Sequence, residues 1–478
     1  MQGITVRNIL EITHGHLIGE IDESKRQEIL ETEVKSLAID SRKVKEGSLF
    51  VAIIGEKVDA HKFVPACTET AAACLVQEDE QEIVSKADGQ QIPANKAVIR
   101  VDDTIKAMQA IAAYVRGFYK HPVIGVTGSV GKTTTREMIT HALSSGKNVF
   151  HTKKNLNSQI GVALTLSKLI DEPSDVAVLE MGISEVGEMD RLTEMAKPDI
   201  AVVTMIGVAH IEYLKDKEGI RTEKLKIASR MDENGVLFLN ADDDMLWEMK
   251  GKTGVKTFYF GTRPEADFRV ENIRVVDEMN TFDYVHGDER ILVTLKAFGL
   301  HHVLDAAAAM AICDYLGMDM MSVAGSLEGF IGIRQKIINT DSGVIIIDDS
   351  YNASPDSMKA AINVLGGITN TGRKIAVLGD MYELGEDTDL FHREIGGYVR
   401  SAFAEGDLDE LYTIGEKGKL IAEAALMEGF RIKTFLDKEK LTDYLIESLK
   451  PGDAVVIKAS NGVHLSEVVE KLVDEFDN

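Results

Sequence analysis

The chain has 478 residues, of which 78 are acidic and 53 are basic, and its formal net charge is −25. This acidic balance excludes nucleic acid as an expected partner, because the phosphate backbone would be repelled. Hydrophobic residues make up 44% and charged residues 27%, a composition that excludes global disorder. At roughly 100–200 residues per domain, this length predicts about three domains.

The three cysteines, Cys67, Cys74 and Cys313, lack the spacing of metal ligands and are typical of a reduced compartment. We expect Cys67 and Cys74 to be small core residues on one helix. The first residues lack a basic start followed by an apolar stretch, and no apolar run approaches the roughly 18 residues of a membrane helix. We therefore expect a cytoplasmic protein with no secretory signal and no membrane span.

The first hundred residues mix short strands with helices and predict a small mixed α/β domain over residues 1–105. A helix over Thr104–Tyr119 closes this region. The other predicted elements are strands at Ser36–Asp40 and Ser48–Ile53, an Ala-rich helix at Phe63–Cys74 and a polar loop over Asp79–Ala97.

From His121 onward, short apolar runs alternate with helical ones, which indicates a parallel sheet covered on both faces. A polar, strand-like insert over Asp267–Leu295 precedes a helix over His301–Tyr315. We assign residues 106–333 to this central domain. Its predicted strands are Val123–Val126, Val149–Phe150, Val176–Leu179, Ile200–Met205, Val236–Leu239 and Thr257–Phe260.

The last third repeats this alternation and predicts a separate domain over residues 334–478, with a closing helix near Val463–Phe476. Its predicted strands are Val344–Ile347, Ile375–Leu378, Leu411–Ile414 and Ala454–Ile457. The predicted fold class is therefore α/β in three domains: a small mixed N-terminal domain, a central P-loop domain with a parallel sheet, and a C-terminal Rossmann-like domain.

The sharpest motif is an apolar strand that runs into a Gly-rich turn and an amphipathic helix between Val123 and Thr135. Glycines let backbone N–H groups turn toward phosphate oxygens, and the helix N-terminus adds positive potential. Lys132 would neutralise the β- and γ-phosphates, and the Thr133 hydroxyl would bind Mg²⁺. The predicted nucleotide-binding residues of this loop are Thr127, Gly128, Ser129, Val130, Gly131, Lys132, Thr133 and Thr134.

Two further residues follow strands of the same domain. Glu180 ends an apolar strand and would supply a carboxylate to Mg²⁺, directly or through water. His210 follows the next strand. For each residue, an ordinary structural role is an equally good interpretation.

In this order, these pieces resemble the Mur ligases, ATP-dependent amide-forming enzymes that build the peptide of the bacterial cell wall. The family's phosphate-loop pattern T-G-x-x-G-K-T-[ST] is matched by Thr127–Thr134. Asp40–Ala52 is similar to its D-S-R…G-x-x-F-V-A signature. Asp348–Met358 and Leu378–Gly385 are similar to D-D-S-Y-N-A-N-P-D-S-M and L-G-D-M-x-E-L-G. The resemblance covers almost the whole chain.

The resemblance is most specific for the member that adds D-alanyl-D-alanine to UDP-N-acetylmuramoyl-tripeptide in peptidoglycan precursor synthesis. It implies that a carboxylate attacks the γ-phosphate of ATP to give an acyl phosphate and ADP, and that an amine then displaces phosphate. The implied cofactors are ATP and two Mg²⁺ ions. The implied partners are small molecules, a UDP-MurNAc-peptide and a dipeptide amine, and we expect a monomer.

The resemblance also implies roles for individual residues. Glu180, His210 and a carbamylated Lys224 would serve the Mg²⁺ ions, with Lys226 as the alternative to Lys224. The nucleotide would contact His302, Arg334, Asp349 and Asn352. The UDP-sugar would face Ser41, Arg42, Asn155, Asn157 and Ser158, and the amino-acid substrates would face Lys458 and Ser460.

Some positions depart from the family pattern. The adenine-binding stretch G-x-H-N-x-x-N is Gly299–Asp305 here, so His302 replaces an amide that would both donate and accept hydrogen bonds. The K-G-S-R stretch is replaced by Lys458–Asn461. These changes leave open a divergent paralogue that joins another carboxylate and amine in specialised metabolism.

Two other classes of protein compete with this interpretation. A P-loop switch or motor commonly has D-x-x-G after its second strand, where this chain has Glu180–Ile183. A dinucleotide-dependent oxidoreductase would have G-x-G-x-x-G after a strand of the C-terminal domain, and the sequence has none there. Both classes are therefore disfavoured.

Overall fold

The computed structural model describes residues 1, 3–276, 279–297, 299–332, 335–369 and 372–477. Within these ranges the strands form three sheets in three successive stretches of chain. The predicted α/β fold in three parts is confirmed. None of the helices in these ranges has the length and apolar character that crossing a membrane requires.

The first sheet is mixed. Its strand order is 1-5-4-3-2, with the first strand antiparallel to the fifth and the other pairs parallel. The elements are α1 (Val6–Thr13), β1 (His16–Ile18), α2 (Glu23–Leu30), β2 (Ser36–Ala38), β3 (Ser48–Val51), α3 (Val64–Cys67), β4 (Ala73–Val76), α4 (Glu80–Lys86), β5 (Val98–Arg100) and α5 (Thr104–Phe118).

The Ala-rich helix predicted at Phe63–Cys74 is wrong beyond its first half. Helix α3 ends at Cys67, whereas Cys74 lies on β4, whose four residues are all buried between β3 and β5. A strand inside a parallel sheet has continuous apolar side chains, so periodicity does not distinguish it from a buried helix. The two cysteines therefore do not share a helix.

The polar loop predicted over Asp79–Ala97 is also partly wrong, because α4 occupies its first part. This helix buries only Ile83 and therefore lacks an apolar stripe. It begins with a capping box, in which the backbone N–H of Asp79 donates to the Glu82 carboxylate at 3.1 Å. The cap, rather than hydrophobic periodicity, is the local signal for this helix.

The central domain has a sheet of order 14-13-12-11-10-9-6-8-7, in which β6 to β12 pair in parallel and β12 to β14 form antiparallel hairpins. All six predicted strands and the predicted insert are confirmed. The elements are β6 (Val123–Thr127), α6 (Lys132–Leu143), β7 (Val149–His151), α7 (Gln159–Leu166), β8 (Val176–Glu180), α8 (Glu188–Ala196), β9 (Ile200–Val203), α9 (Ile211–Leu214), α10 (Lys217–Leu225), β10 (Val236–Asn240), α11 (Asp244–Trp247), β11 (Lys256–Gly261), β12 (Phe268–Val276), β13 (Met279–His286), β14 (Glu289–Leu295), α12 (Leu300–Tyr315) and α13 (Met320–Glu328).

Helices cover both faces of this sheet. On β6, Val123 packs in the apolar cluster of α5, α7 and α8, while its neighbour Ile124 packs in the cluster of α6, α12 and α13. Burial on both faces explains why the strand sequences are continuously apolar. Because β6 lies between β8 and β9, the carboxyl ends of these three strands meet at one edge.

The C-terminal sheet has the order 15-16-20-17-18-19, with an antiparallel pair at its first edge and parallel pairs elsewhere. All four predicted strands and the closing helix are confirmed. The elements are β15 (Lys336–Asn339), β16 (Ile345–Asp348), α14 (Pro355–Gly367), β17 (Lys374–Gly379), α15 (Thr388–Glu405), β18 (Glu410–Ile414), α16 (Gly418–Ala425), β19 (Arg431–Phe435), α17 (Lys438–Ser448), β20 (Ala454–Lys458) and α18 (Ser466–Phe476).

The two strands that sequence patterning did not predict, β15 and β19, lie at the two edges of this sheet. Most of their side chains are exposed or half-buried. An edge strand has one paired neighbour and keeps polar residues, so its sequence lacks the apolar run of a central strand.

Candidate functional site

A cavity of about 600 Å³ lies between the central and C-terminal domains. One wall is the phosphate loop with the carboxyl ends of β6, β8 and β9. The other wall comes from the carboxyl ends of β16, β17 and β20 and from the first turn of α14. Ligands of open α/β sheets bind outside the carboxyl ends of the strands, so the topology places a ligand site here.

The phosphate loop is held in a conformation that requires glycine. Gly128 and Gly131 have φ of 153° and 87°, and a Cβ on Gly128 would collide with the Thr204 hydroxyl. That hydroxyl donates to the carbonyl of Val130 at 2.5 Å. The Lys132 ammonium donates to the Gly128 carbonyl at 2.8 Å. The sequence and the geometry thus agree on an anion-binding loop at the start of α6.

Glu180 lies beside Thr133 and is fully buried. Its Oε1 accepts hydrogen bonds from the Thr133 hydroxyl at 3.0 Å and from the Asn157 amide at 2.7 Å. Its Oε2 is buried without a hydrogen-bond partner among the described residues. A hydroxyl and a carboxylate are hard oxygen donors of the kind that Mg²⁺ prefers, so these residues fit the ion.

Arg136 is a residue that sequence reasoning missed. Its side chain is buried, and Nη1 lies 3.5 Å from Glu180 Oε2. The same nitrogen donates to the carbonyls of Thr152 and Lys154 at 2.6 and 3.0 Å. Arg136 follows Lys132 by four residues, a spacing that places it on the same face of α6. That spacing was the available signal.

The structure distinguishes the two candidate lysines, Lys224 on α10 and Lys226 in the turn after it. Lys224 is fully buried, and its Nζ donates to the Gly128 carbonyl at 3.1 Å. Burial, together with the charge of Lys132, lowers the pKa of Lys224 well below its usual range. Lys226 forms ion pairs of 2.8 Å with Asp190 and Glu223, which raise its pKa. Only Lys224 therefore reaches the phosphate loop.

His210 lies at the interface of the two domains. It has a left-handed backbone with φ of 62°, and its Nδ1 is 2.5 Å from the Glu383 carboxylate. The neighbouring His210 imidazole lowers the pKa of Glu383. His210 lines the cavity, and in this arrangement its Nδ1 contacts Glu383 of the C-terminal domain.

A chain of hydrogen bonds crosses the domain boundary beside the first turn of α12. His301 Nε2 lies 2.8 Å from Gln335 Oε1, and Gln335 donates to Asp349 Oδ2 at 3.1 Å. Lys458 Nζ forms an ion pair with the same oxygen at 2.8 Å. The predicted contacts Asp349 and Lys458 are thus joined to each other. Arg334 lies outside the described residues.

His302 also lines the cavity, and its side chain is only 4% exposed. Its Nδ1 has no hydrogen-bond partner among the described residues and lies 3.6 Å from Asp305 Oδ2. Asp305 in turn accepts a hydrogen bond from Thr135 of α6. A buried polar atom without a hydrogen-bond partner among the described residues is unusual in a folded protein, and here it lies in a residue of the cavity lining.

Other predicted residues divide between the cavity and its surroundings. The predicted residues that are not among the residues of the lining are Thr127, Gly128, Ser41, Arg42 and Asn155. The predicted residues that line it are Ser129, Val130, Gly131, Lys132, Thr133, Thr134, Asn157, Ser158, Glu180, His210, His302, Asp349, Asn352, Lys458 and Ser460.

The N-terminal signature is held by its own ion pair. The Arg42 guanidinium binds both oxygens of the Asp40 carboxylate at 2.9 Å, and these bonds lower the pKa of Asp40 to about 2. The Arg42 side chain is 86% exposed. It is therefore on the protein surface, outside the described lining of the cavity.

A second acidic cluster, Asp59, His61 and Glu78, has the spacing of a metal site. Lys86 already forms ion pairs with both carboxylates. The two ring nitrogens of His61 contact Asp59 at 2.7 Å and the backbone N–H of Gln77 at 3.1 Å. The lysine supplies the positive charge that a metal ion would bring, so this cluster is an ion-pair network.

The phosphate loop, the buried carboxylate beside its threonine and the cavity shared with a second α/β domain define a nucleoside-triphosphate-dependent enzyme. The chain matches the description "Mur ligase family, catalytic domain" over residues 33–116, "Mur ligase middle domain" over 126–313 and "Mur ligase, glutamate ligase domain" over 333–461.

Full-length relatives extend this result. The chain is 36% identical to UDP-N-acetylmuramoyl-tripeptide–D-alanyl-D-alanine ligase of Bacillus subtilis strain 168, with 98% of each chain covered. It is 29% identical to the ligase of that name from Escherichia coli K12, with 99% of each covered. The chain belongs to the Mur ligase family and is an ATP-dependent ligase.

Solved structures show the same likeness. The crystal structure of MurF from Acinetobacter baumannii is 29% identical, with a TM-score of 0.84 and 98% of each chain covered. MurF ligase from Thermotoga maritima in complex with ADP is 26% identical, with a TM-score of 0.80. The match covers 93% of this chain and 98% of that chain.

Proposed function

We propose that the chain adds D-alanyl-D-alanine to UDP-N-acetylmuramoyl-tripeptide with ATP, through an acyl phosphate, in peptidoglycan precursor synthesis. The observation that carries this proposal is the 36% identity to the Bacillus subtilis ligase over 98% of both chains. The cavity supports it, because the phosphate loop and the C-terminal domain face each other across one space. We place the reaction in the cytoplasm and the enzyme as a monomer.

The reaction needs an activated acid, because a free carboxylate is a poor acyl donor. The carboxylate attacks the γ-phosphorus of ATP and ADP leaves. The amine then attacks the acyl carbon, and inorganic phosphate leaves. Positioning of these anions and neutralisation of their charge supply most of the catalysis. Lys132 and the backbone N–H groups of the loop serve this purpose on the nucleotide side.

Thr133, Glu180 and His210 are the proposed ligands of two Mg²⁺ ions, with Lys224 as a carbamylated fourth ligand. The bound ions would neutralise charge on the phosphates. Carbamylation requires an uncharged amine, and the lowered pKa of Lys224 favours this form. Lys226 is disfavoured by its two ion pairs.

The substrate contacts are proposals of the same kind. The nucleotide would contact Arg334, His302, Asp349 and Asn352. The UDP-sugar would face Ser41, Arg42, Asn155, Asn157 and Ser158, and the amine would face Lys458 and Ser460. The proposed domains are residues 1–105 for the UDP-sugar, 106–333 for ATP and 334–478 for the incoming amine.

A second candidate function keeps the chemistry and changes the amine. Asn461 lines the cavity at the position where the family pattern has arginine. An amide lacks the charge with which arginine would bind a carboxylate. A paralogue that joins another amine is the alternative that this residue favours.

The assay that tests both candidates measures phosphate release from ATP and Mg²⁺ with UDP-MurNAc-tripeptide, while the amine is varied. We expect release above background only with D-alanyl-D-alanine. Release with a different amine alone would support the second candidate. Lys132→Ala should abolish release and leave the melting temperature close to that of the wild type. Normal turnover by this variant would exclude the proposed nucleotide site.

A further inference from the structure

Asp356 lines the cavity but has none of the roles described so far. It lies in the first turn of α14, on the wall that belongs to the C-terminal domain. Its Oδ2 is buried and has no hydrogen-bond partner among the described residues. The helix does not need this carboxylate as a cap, because Ser354 and Ser357 already form a capping box.

The Asp356 carboxylate faces the phosphate loop across the domain interface. A Cβ on Gly207 would collide with Asp356 Oδ2 and would lie 3.3 Å from the Cβ of Ser129. Ser129 Oγ donates to the Gly207 carbonyl at 3.2 Å. The absence of a side chain on Gly207 thus lets the carboxylate approach the residues that cradle the phosphates.

A carboxylate in this position needs a cation. Burying an unpaired charge is unfavourable, and the phosphates expected at the loop would repel it further. Thr133 and Glu180, the proposed Mg²⁺ ligands, lie on the opposite wall and belong to the central domain. Among the substrates of the proposed reaction, the amine is the one that carries a positive charge.

We propose that Asp356 binds the ammonium group of the incoming amine and accepts one of its protons. This inference rests on the proposed function. The neutral nitrogen then forms a bond to the acyl carbon, and the bond from that carbon to the phosphate oxygen breaks. The electron pair leaves with inorganic phosphate, which takes the second nitrogen proton, and Asp356 returns its own proton to water.

Hydroxylamine separates this role from a role in ATP binding or folding. It is an uncharged nucleophile at neutral pH, so it can trap the acyl phosphate as a hydroxamate without giving a proton to Asp356 first. The experiment compares Asp356→Asn with the wild type in two reactions, dipeptide ligation and hydroxamate formation, both with ATP, Mg²⁺ and UDP-MurNAc-tripeptide.

For Asp356→Asn we expect kcat/KM for the dipeptide to fall by about 10²-fold or more, while the hydroxamate rate and the KM for ATP stay within about threefold of the wild type. The matched control is Asp389→Asn, in the first turn of α15. Asp389 is 60% exposed and pairs with Lys417 on the surface. This control should match the wild type in both reactions.

Equal loss of both reactions in Asp356→Asn, or loss of neither, would overturn the role of Asp356. Failure of the wild type to ligate the dipeptide would instead overturn the proposed function. The melting temperature of Asp356→Asn should stay close to that of the wild type, because Asp356 is only half-buried and its Oδ2 has no hydrogen-bond partner among the described residues. Should this variant unfold, Asp356→Ser provides the same comparison.

Discussion

At the scale of single residues, the phosphate loop is surrounded by buried charges that compensate one another. Arg136, Glu180 and Lys224 are each 1% exposed or less. Glu180 Oε2 has the Arg136 guanidinium at 3.5 Å, whereas the hydrogen-bond acceptor of Lys224 among the described residues is a backbone carbonyl. The two basic residues therefore have different surroundings: the guanidinium lies beside a carboxylate, whereas burial and the charge of Lys132 lower the pKa of the Lys224 amine.

The lowered pKa of Lys224 leads to a prediction for the variant Lys224→Ala. We expect ligation to fall by about 10²-fold or more, and to recover in part when a short carboxylic acid such as acetate is added, since the acid replaces the lost carbamate. Phosphate release with and without acetate measures this. Lys226→Ala is the control and should keep near-normal activity. Unchanged activity of Lys224→Ala would mean that the lysine is only structural.

At the scale of elements, the first turn of α12 contains a half-buried histidine, His301. The His301 ring forms a hydrogen bond with the Gln335 side chain. Gly299 has φ of 101°, and a Cβ at this position would collide with the His301 ring, so glycine allows the ring to pack against the backbone. Burial lowers the pKa of His301 from 6.5 to about 3. The histidine is therefore neutral in the folded protein and charged in the unfolded chain below about pH 6.5.

This difference predicts acid-sensitive stability. Between pH 6.5 and about 3, the unfolded chain binds a proton on His301 that the folded protein does not bind. The free energy of unfolding therefore falls as the pH drops through this range, by about a few kcal/mol in total. Urea unfolding at about pH 7 and about pH 5 measures the loss. His301→Gln should reduce it. An identical pH dependence in both proteins would contradict the assignment.

The elements also show where sequence patterns succeed and fail. The central strands were predicted because both of their faces are buried, as for Val123 and Ile124 on β6. The edge strands β15 and β19 were missed because exposed edges retain polar residues. The sequence predicts a helix that runs into the start of β4, because the apolar run of this strand is too short to have a distinct period.

At the scale of the whole molecule, the site exists only where two domains meet. Among the described residues of its lining, two lysines face six carboxylates: Lys132 and Lys458 against Glu180, Glu188, Asp305, Asp349, Asp356 and Glu383. The whole chain is acidic as well, with a net charge of −25. A triphosphate entering this cavity is therefore repelled unless divalent cations accompany it.

Removal of metal should accordingly weaken nucleotide binding. We expect the affinity for ATP, measured by calorimetry, to fall by at least about 10²-fold when Mg²⁺ is replaced by a chelator. Adenosine, which has no phosphates, serves as the control ligand, and its binding should not change. Equal ATP affinity with and without Mg²⁺ would contradict the charge balance of the cavity.

The sequence by itself determined the α/β class, the central strands and the phosphate loop, because these depend on local patterns of apolar residues and glycines. It also supplied the resemblance that led to the family. The tertiary structure alone decided that Lys224 rather than Lys226 reaches the loop, that Arg136 accompanies Glu180, and that Asp356 faces Gly207. Burial and charge contacts between distant segments are properties of packing: a local spacing can place Arg136 on one face of α6, but it does not show which residue that face meets.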